Sequence, residues 1–349
     1  MRIALLHYTQ SPIIGGVERV IRDQATALRT LGHEVATLTR ESAGDLSGFD
    51  AMIVHNVFTM PFDLAWTREL TAMAAASPHQ RWINWVHDVA AVNPHYAHVT
   101  WQEPVPQALH VAVSEVRRQD YARANDLPAE AILVIPNGLD FASVLGLTPR
   151  IAALNLWQHD LVLLHPTRLI RRKNIELGLR TTAALKQAGV KVLYAVTGAP
   201  DPHQADGKTY HQELRKLTEE LKIEAQVSFL GESGPLTDDD VRSLYTAADA
   251  LFFPSTGEGF GLPLLEAQAH RLPIFCSDLQ VHVDVLGFGG RYFSIDDKPE
   301  LISAQIMQWS QSDLSIHHRR HLWRDHEMVK ICQEHLEPLL LTATAILTP

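Results

Sequence analysis

Two carboxylates, Glu258 and Glu266, stand eight positions apart in the stretch Phe253 to Ala267, FPSTGEGFGLPLLEA. Between them lie a Gly259-Phe260-Gly261 turn and an apolar run, and a hydrophobic strand end, Ala250-Leu251-Phe252-Phe253, comes just before. The pattern predicts a strand, a tight glycine loop and a helix beginning near Pro263, because proline suits a first helical turn. Glu258 then falls in the loop and Glu266 about one turn into the helix. Both can face the crevice at the carboxyl end of a parallel sheet, where open α/β folds bind ligands. The glycines let backbone approach a ligand closely, and the N–H groups of the loop and first turn favour an anion. As a lone glycine loop, the same stretch would be an ordinary turn flanked by solvated glutamates.

Groups of opposite charge follow another strand. Leu161 to Pro166 (LVLLHP) leads into Thr167-Arg168-Leu169-Ile170-Arg171-Arg172-Lys173-Asn174, four cationic residues within six positions. A solvated basic face is the plain reading of a generic run of this kind. Its place between a strand and the helix Ile175 to Gly189 favours a phosphate grip, with Arg as a rigid fork and Lys as a mobile point charge. At the start of the chain, the strand Arg2 to Tyr8 is followed by Gly15-Gly16-Val17-Glu18, then by Val17, Val20, Ile21, Ala25 and Leu28 at helical spacing up to Gly32. This is not a G-x-G-x-x-G fingerprint, so a nicotinamide cofactor is disfavoured. The strand Trp82 to His87 runs into His87-Asp88, a catalytic edge or simply a histidine paired to its surroundings.

Taken over its full length, PSTGEGFGLPLLEA resembles the Glu-x7-Glu signature of retaining nucleotide-sugar glycosyltransferases of family 4, the glycosyl transferases group 1, which have the two-domain GT-B fold. The resemblance implies that Glu266 holds the nucleotide ribose hydroxyls, that Glu258 contacts the donor sugar, and that the amides of Gly259, Phe260, Gly261 and Leu262 contact sugar and phosphate. Arg168 and Lys173 match the family's Arg-x4-Lys pair on the donor diphosphate. Gly15 and Gly16 resemble its GGxE loop, whose glycines lie against the diphosphate and admit the acceptor. His87 matches a histidine near the donor sugar, with Asp88 a weaker candidate. The implied catalytic set is therefore Glu258, His87, Arg168 and Lys173. Arg171 and Arg172 fall outside the match and are assigned to the surface. The resemblance also implies retention of anomeric configuration by front-face attack, with the leaving phosphate assisting deprotonation of the acceptor hydroxyl. HNVFTMPFDL followed by WVHDVA resembles enzymes that build mannosyl- or glucosyl-glycerate-type solutes. GDP-mannose and UDP-glucose both stay open as donors. A noncatalytic nucleotide-sugar-binding protein, or an epimerase or phosphorylase on the same architecture, is the alternative; intact Glu258, Glu266, Arg168 and Lys173 argue against degeneration.

The elements that must position these groups alternate strand and helix through both halves, which predicts two doubly wound α/β sheets facing an interdomain cleft. The expected domains are 1–145, with 325–349 crossing back onto it, and a nucleotide-sugar domain over 155–324; Pro136-Asn137-Gly138 resembles the family's turn into the interdomain linker. The length of 349 residues suits two cores, and a composition 46% hydrophobic and 20% charged is that of a soluble globular protein. The net charge of −10 argues against nucleic-acid partners. Cys276 and Cys332 read as buried free thiols. Thr237-Asp238-Asp239-Asp240 contains a D-x-D pattern, but Thr237 as N-cap with acidic residues in the first turn accounts for it, so no metal and no cofactor beyond the sugar nucleotide is expected. His95 and His98 lack a third ligand nearby and fall in the aromatic and polar loop Ala90 to Trp101, a candidate acceptor wall for a small soluble molecule. No apolar run reaches the roughly 20 residues of a membrane span, and no secretory signal is read at Met1-Arg2, so a cytoplasmic location is expected; the oligomeric state is left open.

Overall fold

A computed structural model describes residues 1–10, 15–96, 98, 105, 108–198 and 207–341. The chain divides into two units, one formed by Met1–Asp140 and the chain from Asp325 on, the other by Phe141–Arg324. In the first unit, β1 (Arg2–Leu6), β2 (Glu34–Leu38), β3 (Ala51–His55), β4 (Arg81–Val86), β5 (Leu109–Ala112) and β6 (Ile132–Val134) form one sheet in the order β2-β1-β3-β4-β5-β6. Every pairing in it is parallel. Parallel strands covered on both faces read as unbroken apolar runs, and β3 is buried at all five positions. Its helices are α1 (Gly16–Thr30), α2 (Leu64–Ala76) and α3 (Glu115–Asn125). Val20, Ile21, Ala25 and Leu28 of α1 pack with Ile3, Leu5 and Val35 of the sheet, and Gly32 closes the helix end at φ +89°, a conformation that glycine adopts without strain.

The second unit begins with two short helices, α4 (Phe141–Leu145) and α5 (Pro149–Ala152), where the sequence predicts a linker. It continues with β7 (Leu161–His165), α6 (Ile175–Gln187), β8 (Val192–Val196), α7 (Gly207–Glu220), β9 (Val227–Phe229), α8 (Asp238–Ala247), β10 (Ala250–Phe253), α9 (Leu262–Ala269), β11 (Ile274–Ser277), α10 (Gln280–Leu286), β12 (Gly290–Phe293), α11 (Pro299–Ser312) and α12 (Leu314–His326). The strand order is β12-β11-β10-β7-β8-β9, again wholly parallel. One apolar cluster lies around Leu163, Leu179, Tyr194, Phe252 and Trp309; a second holds Leu164, Leu244, Leu251, Phe253 and Leu264. Neighbouring residues of one strand divide between the clusters, so both faces of the sheet are covered, and the expected doubly wound α/β class stands.

After α12 the chain runs through α13 (Met328–Ile331), a π-helical turn (Cys332–Leu336) and α14 (Glu337–Leu341). Met328, Ile331, Cys332, Leu336 and Leu340 enter the same core cluster as Ile3, Leu5 and Leu28 of the first unit. Both cysteines are buried and unpaired, and burial pushes each thiol up to about 12, which keeps them unreactive. Thr237 caps α8 reciprocally: its hydroxyl accepts from the Asp240 N–H at 3.1 Å, and the Asp240 carboxylate accepts from the Thr237 N–H at 3.0 Å.

Each sheet reverses its winding at one place. In the first unit the chain leaves β1 toward β2 and returns on the other side with β3; in the second it leaves β7 toward β8 and returns with β10. Diverging loops at such switch points leave a crevice at the carboxyl ends of the strands. The candidate residues collect at these two places.

Candidate functional site

At the β7/β10 switch, the loops after the two strands close on each other. The chain leaves β7 at His165 and makes a 3₁₀ turn at Arg171–Lys173, ended by Asn174 in the left-handed region at φ +50°, before α6 begins. That turn aims Lys173 back over the sheet end. Its Nζ lies 2.5 Å from Glu258 Oε1 and 4.8 Å from the centre of the Phe253 ring. The other oxygen, Oε2, accepts from Arg172 Nη1 at 2.9 Å. Arg172 Nη1 also donates to the Gly257 carbonyl at 2.8 Å, and the Thr256 N–H donates to the Arg172 carbonyl at 2.8 Å. Ser255 Oγ donates to Glu258 Oε1 at 2.7 Å, while Ser277 Oγ donates to the Ser255 carbonyl at 2.6 Å. His282 sits behind, its Nδ1 donating to the Ser277 carbonyl at 2.9 Å.

The two partners of this pair respond differently to their surroundings. Burial pushes the Glu258 carboxyl up, but the hydrogen bonds from Lys173 and Ser255 and the charge of Lys173 outweigh it, so Glu258 stays below the ordinary carboxylate value. For Lys173, burial outweighs the Glu258 contacts, and the Arg172 and Arg168 charges act in the same sense, so its ammonium is held below the ordinary lysine value. An anion entering here would relieve that crowding of positive charge.

The other predicted residues of this unit lie around the pair. Arg168 is exposed. The preceding backbone is so close to Gly198 that a Cβ there would stand 2.0 Å from the Thr167 carbonyl oxygen and 2.5 Å from Arg168 Cα. Gly261 caps α9 at φ +91°; Gly259 has no neighbour within 4 Å of where a Cβ would be. Phe260 and Leu262 turn outward. Glu266 is exposed on α9 and meets neither Lys173 nor Glu258. Instead its Oε2 accepts from the Tyr245 hydroxyl at 2.6 Å, with the Tyr245 ring stacked on His270 at 5.3 Å. Arg172 is exposed, in keeping with its assignment with Arg171 to the surface, but it also bonds the Glu258 loop, a contact that assignment did not include. Arg171 does stay outside, paired with Glu213 and lying over the Tyr210 ring.

At the β1/β3 switch of the first unit the groups are mostly uncharged. His7, His55 and His87 stand at or just past the ends of β1, β3 and β4, and all are buried. His7 Nδ1 donates to the His55 carbonyl at 2.8 Å, and His55 Nδ1 lies 3.0 Å from His87 Nε2. Asn56, at φ +61°, accepts from the N–H groups of His87 at 2.9 Å and Asp88 at 3.0 Å. Gly15 is the N-cap of α1. Its lack of a side chain answers to Glu18, which folds back so that a Cβ on Gly15 would meet Oε2 at 2.0 Å. The Glu18 carboxylate accepts from Thr9 Oγ1 and lies 3.9 Å from His7 Nε2. Gly16 is exposed, with nothing within 4 Å of its Cβ direction. His7, His55 and Asn56 were not singled out as site residues in the sequence; the shared signal is a polar residue closing an apolar strand. His95 and His98 are exposed, and residues 97 and 99–101 of the candidate acceptor loop lie outside the described residues. So do residues 201–206, within the polar stretch Asp201 to Gly207 that the sequence predicts to be a loop.

Residues 151–324, which lie within the second unit, match the model of the family glycosyl transferases group 1, and this unit belongs to that family. Among curated relatives, the O-antigen chain mannosyltransferase RfbU of Salmonella typhimurium is 36% identical over 99 residues, 28% of this chain and 27% of that protein. The mannosylglucosylglycerate synthase of Thermotoga maritima is 25% identical over 279 residues, 72% of this chain and 63% of that one. The chain thus spans less than two thirds of the length of either relative. Among solved structures, Anabaena HepE in complex with UDP and glucose aligns over 97% of this chain and 99% of that one, at 21% identity and a TM-score of 0.40.

Proposed function

We propose that the protein is a retaining glycosyltransferase that moves a hexose from a nucleotide diphosphate sugar to a hydroxyl group of a small acceptor. The observation that carries this reading is the joining of Arg172 and Lys173 to the Glu258 loop at the β7/β10 switch point. Breaking the bond between an anomeric carbon and a diphosphate leaves negative charge on the departing phosphate oxygen, and fixed cationic groups stabilise it best. Lys173 and Arg168 are assigned to the diphosphate, with the backbone N–H groups of Gly259 to Leu262. Glu258 is assigned to hydroxyls of the transferred sugar, and Glu266 to the ribose hydroxyls, its carboxylate braced by Tyr245. The C1–O bond to the phosphate breaks, a C1–O bond to the acceptor forms on the same face, and the acceptor proton passes to the leaving phosphate oxygen. These cations do the work that a metal does in other sugar transferases, so the reaction is assigned as metal-independent. At the other switch point, His87 and the Gly15-Gly16 backbone offer uncharged groups suited to hydroxyl recognition. Two relatives named for mannosyl transfer or mannosylglucosylglycerate synthesis favour a mannosyl donor, and the short polar loop after His87 a small acceptor.

A thermal-shift panel of GDP, UDP, GDP-mannose and UDP-glucose tests the reading. A ligand at a hundredfold excess over its Kd stabilises a folded protein by about 2.7 kcal/mol. At least one guanosine or uridine compound is expected to raise Tm, and Lys173→Met to abolish the rise. No shift with any of them discards the proposal.

A further inference from the structure

The first unit carries a buried pair of imidazoles whose proton positions can be worked out. We propose that His55 fixes His87 as a neutral imidazole protonated on Nδ1, so that His87 presents a standing hydrogen-bond donor to a ligand oxygen. Only the nature of that oxygen, a sugar hydroxyl acting as acceptor, rests on the function proposed above.

Backbone contacts set the pair. Asn56, in the left-handed region, accepts from the N–H groups of His87 and Asp88 and so ties the end of β4 to the end of β3. His87 Nε2 then lies 3.0 Å from His55 Nδ1, the ring planes inclined by 26°. Two lone pairs do not face each other at that distance, so one N–H lies between the rings. Both rings are neutral: burial pushes His87 down to about 3 and His55 well below its ordinary value, with the neighbouring histidines adding to the effect. The charged and titratable groups around the pair do not reverse this. His7 turns its Nδ1–H to the His55 carbonyl, Glu18 lies beyond His7, and Asp88 is held at 3.4 Å by the Asn56 amide.

Two neutral arrangements remain. If His87 donated from Nε2, His55 would carry its own proton on Nε2. That atom is fully buried and meets no hydrogen-bond partner among the described residues. Stranding a buried N–H is the rarer and costlier outcome, whereas an unused acceptor is better tolerated. The second arrangement has His55 Nδ1–H donating to His87 Nε2, which leaves only a lone pair on the buried atom. A neutral His87 whose Nε2 accepts must carry its proton on Nδ1, the ring nitrogen that bonds nothing among the described residues. His55 and Asn56 are therefore positioning residues, and His87 has no outward lone pair with which to act as a base.

Long-range ¹⁵N–¹H correlation spectra of the full chain with labelled histidine read this directly, the His55 and His87 signals being assigned by their loss in His55→Asn and His87→Asn. The expected spectrum of the native protein shows His87 with a protonated Nδ1 and a bare Nε2, unchanged between about pH 6 and 8. A protonated Nε2, an averaged signal or a cationic ring overturns the proposal. In His55→Asn the new amide can still donate and the His87 pattern should persist. In His55→Leu it should shift to a mixture, and a His87 still wholly protonated on Nδ1 would overturn the role of His55. These spectra do not depend on turnover, so failure of the glycosyltransferase reading would leave them informative.

Discussion

At the scale of single residues, the Lys173–Glu258 pair decides most. Glu258 has its folded-state value below the ordinary 4.5 because of Lys173 and Ser255. A carboxylate depressed in this way contributes stability that is present above about pH 4.5 and lost as the pH falls through the folded value. Glu258→Gln is accordingly expected to melt below the native protein at pH 7, with the difference shrinking as the pH drops under 4.5; a gap that stays constant to pH 3 would show that the charge is not what matters. Turnover in the same variant should fall by roughly 100-fold or more, as when one fixed group at a reacting centre is removed. Glu258 and Lys173 were legible in the sequence because their residue types and spacings recur as local patterns. Arg172 was not, since its contact with the Glu258 loop depends on the 3₁₀ turn that aims it across 86 positions of chain. The His55–His87 pair escaped for the same reason: only the parallel register of β3 against β4 brings positions 32 apart into hydrogen-bonding reach.

At the scale of elements, the strands were the easiest to read, because burial on both faces leaves no polar position inside β1, β3 or β7, and each appears as an uninterrupted apolar word. The residue just past each strand was harder. Asn56 looks like any loop asparagine, yet its left-handed backbone and two accepted hydrogen bonds hold the end of β4. Asn56→Ala loses both bonds and leaves in the left-handed region a residue without the short polar side chain that makes Asn tolerant of it, so chemical denaturation should show a loss of about 2–4 kcal/mol once the unpaired N–H groups are included. Asn56→Gly, which relieves the backbone but not the hydrogen bonds, should recover about 1 kcal/mol of that. Equal losses in the two variants would remove the backbone part of the argument. In the linker, Thr148 caps α5 and donates to Asp240 at 2.5 Å, a tertiary contact that no local pattern announces.

For the whole molecule, the chain beyond Asp325 is structural property of the first unit. Met328, Ile331, Cys332, Leu336 and Leu340 are all buried there, and deleting side chains of this size from a core costs about 2–5 kcal/mol each for the aliphatic ones. Over the four aliphatic ones this comes to about 8–20 kcal/mol, as large as the 5–15 kcal/mol by which a typical domain is stable. A chain ending at Arg324 should therefore lose the first unit while keeping the second, so that limited proteolysis degrades 1–140 and spares a fragment near 141–324; equal resistance of both parts would contradict the assignment. The wide turn at Cys332–Leu336 explains how so many side chains stay pointed at one core. Four residues of an α-helix advance about 400°, some 40° past a full circle, so Cys332, Leu336 and Leu340 would wind progressively away from the sheet along a regular helix. A turn with extra chain in it unwinds that excess. Loss of a single amino acid from this turn would act as a rotation of everything after it, swinging Leu340 toward water although no apolar side chain had been removed.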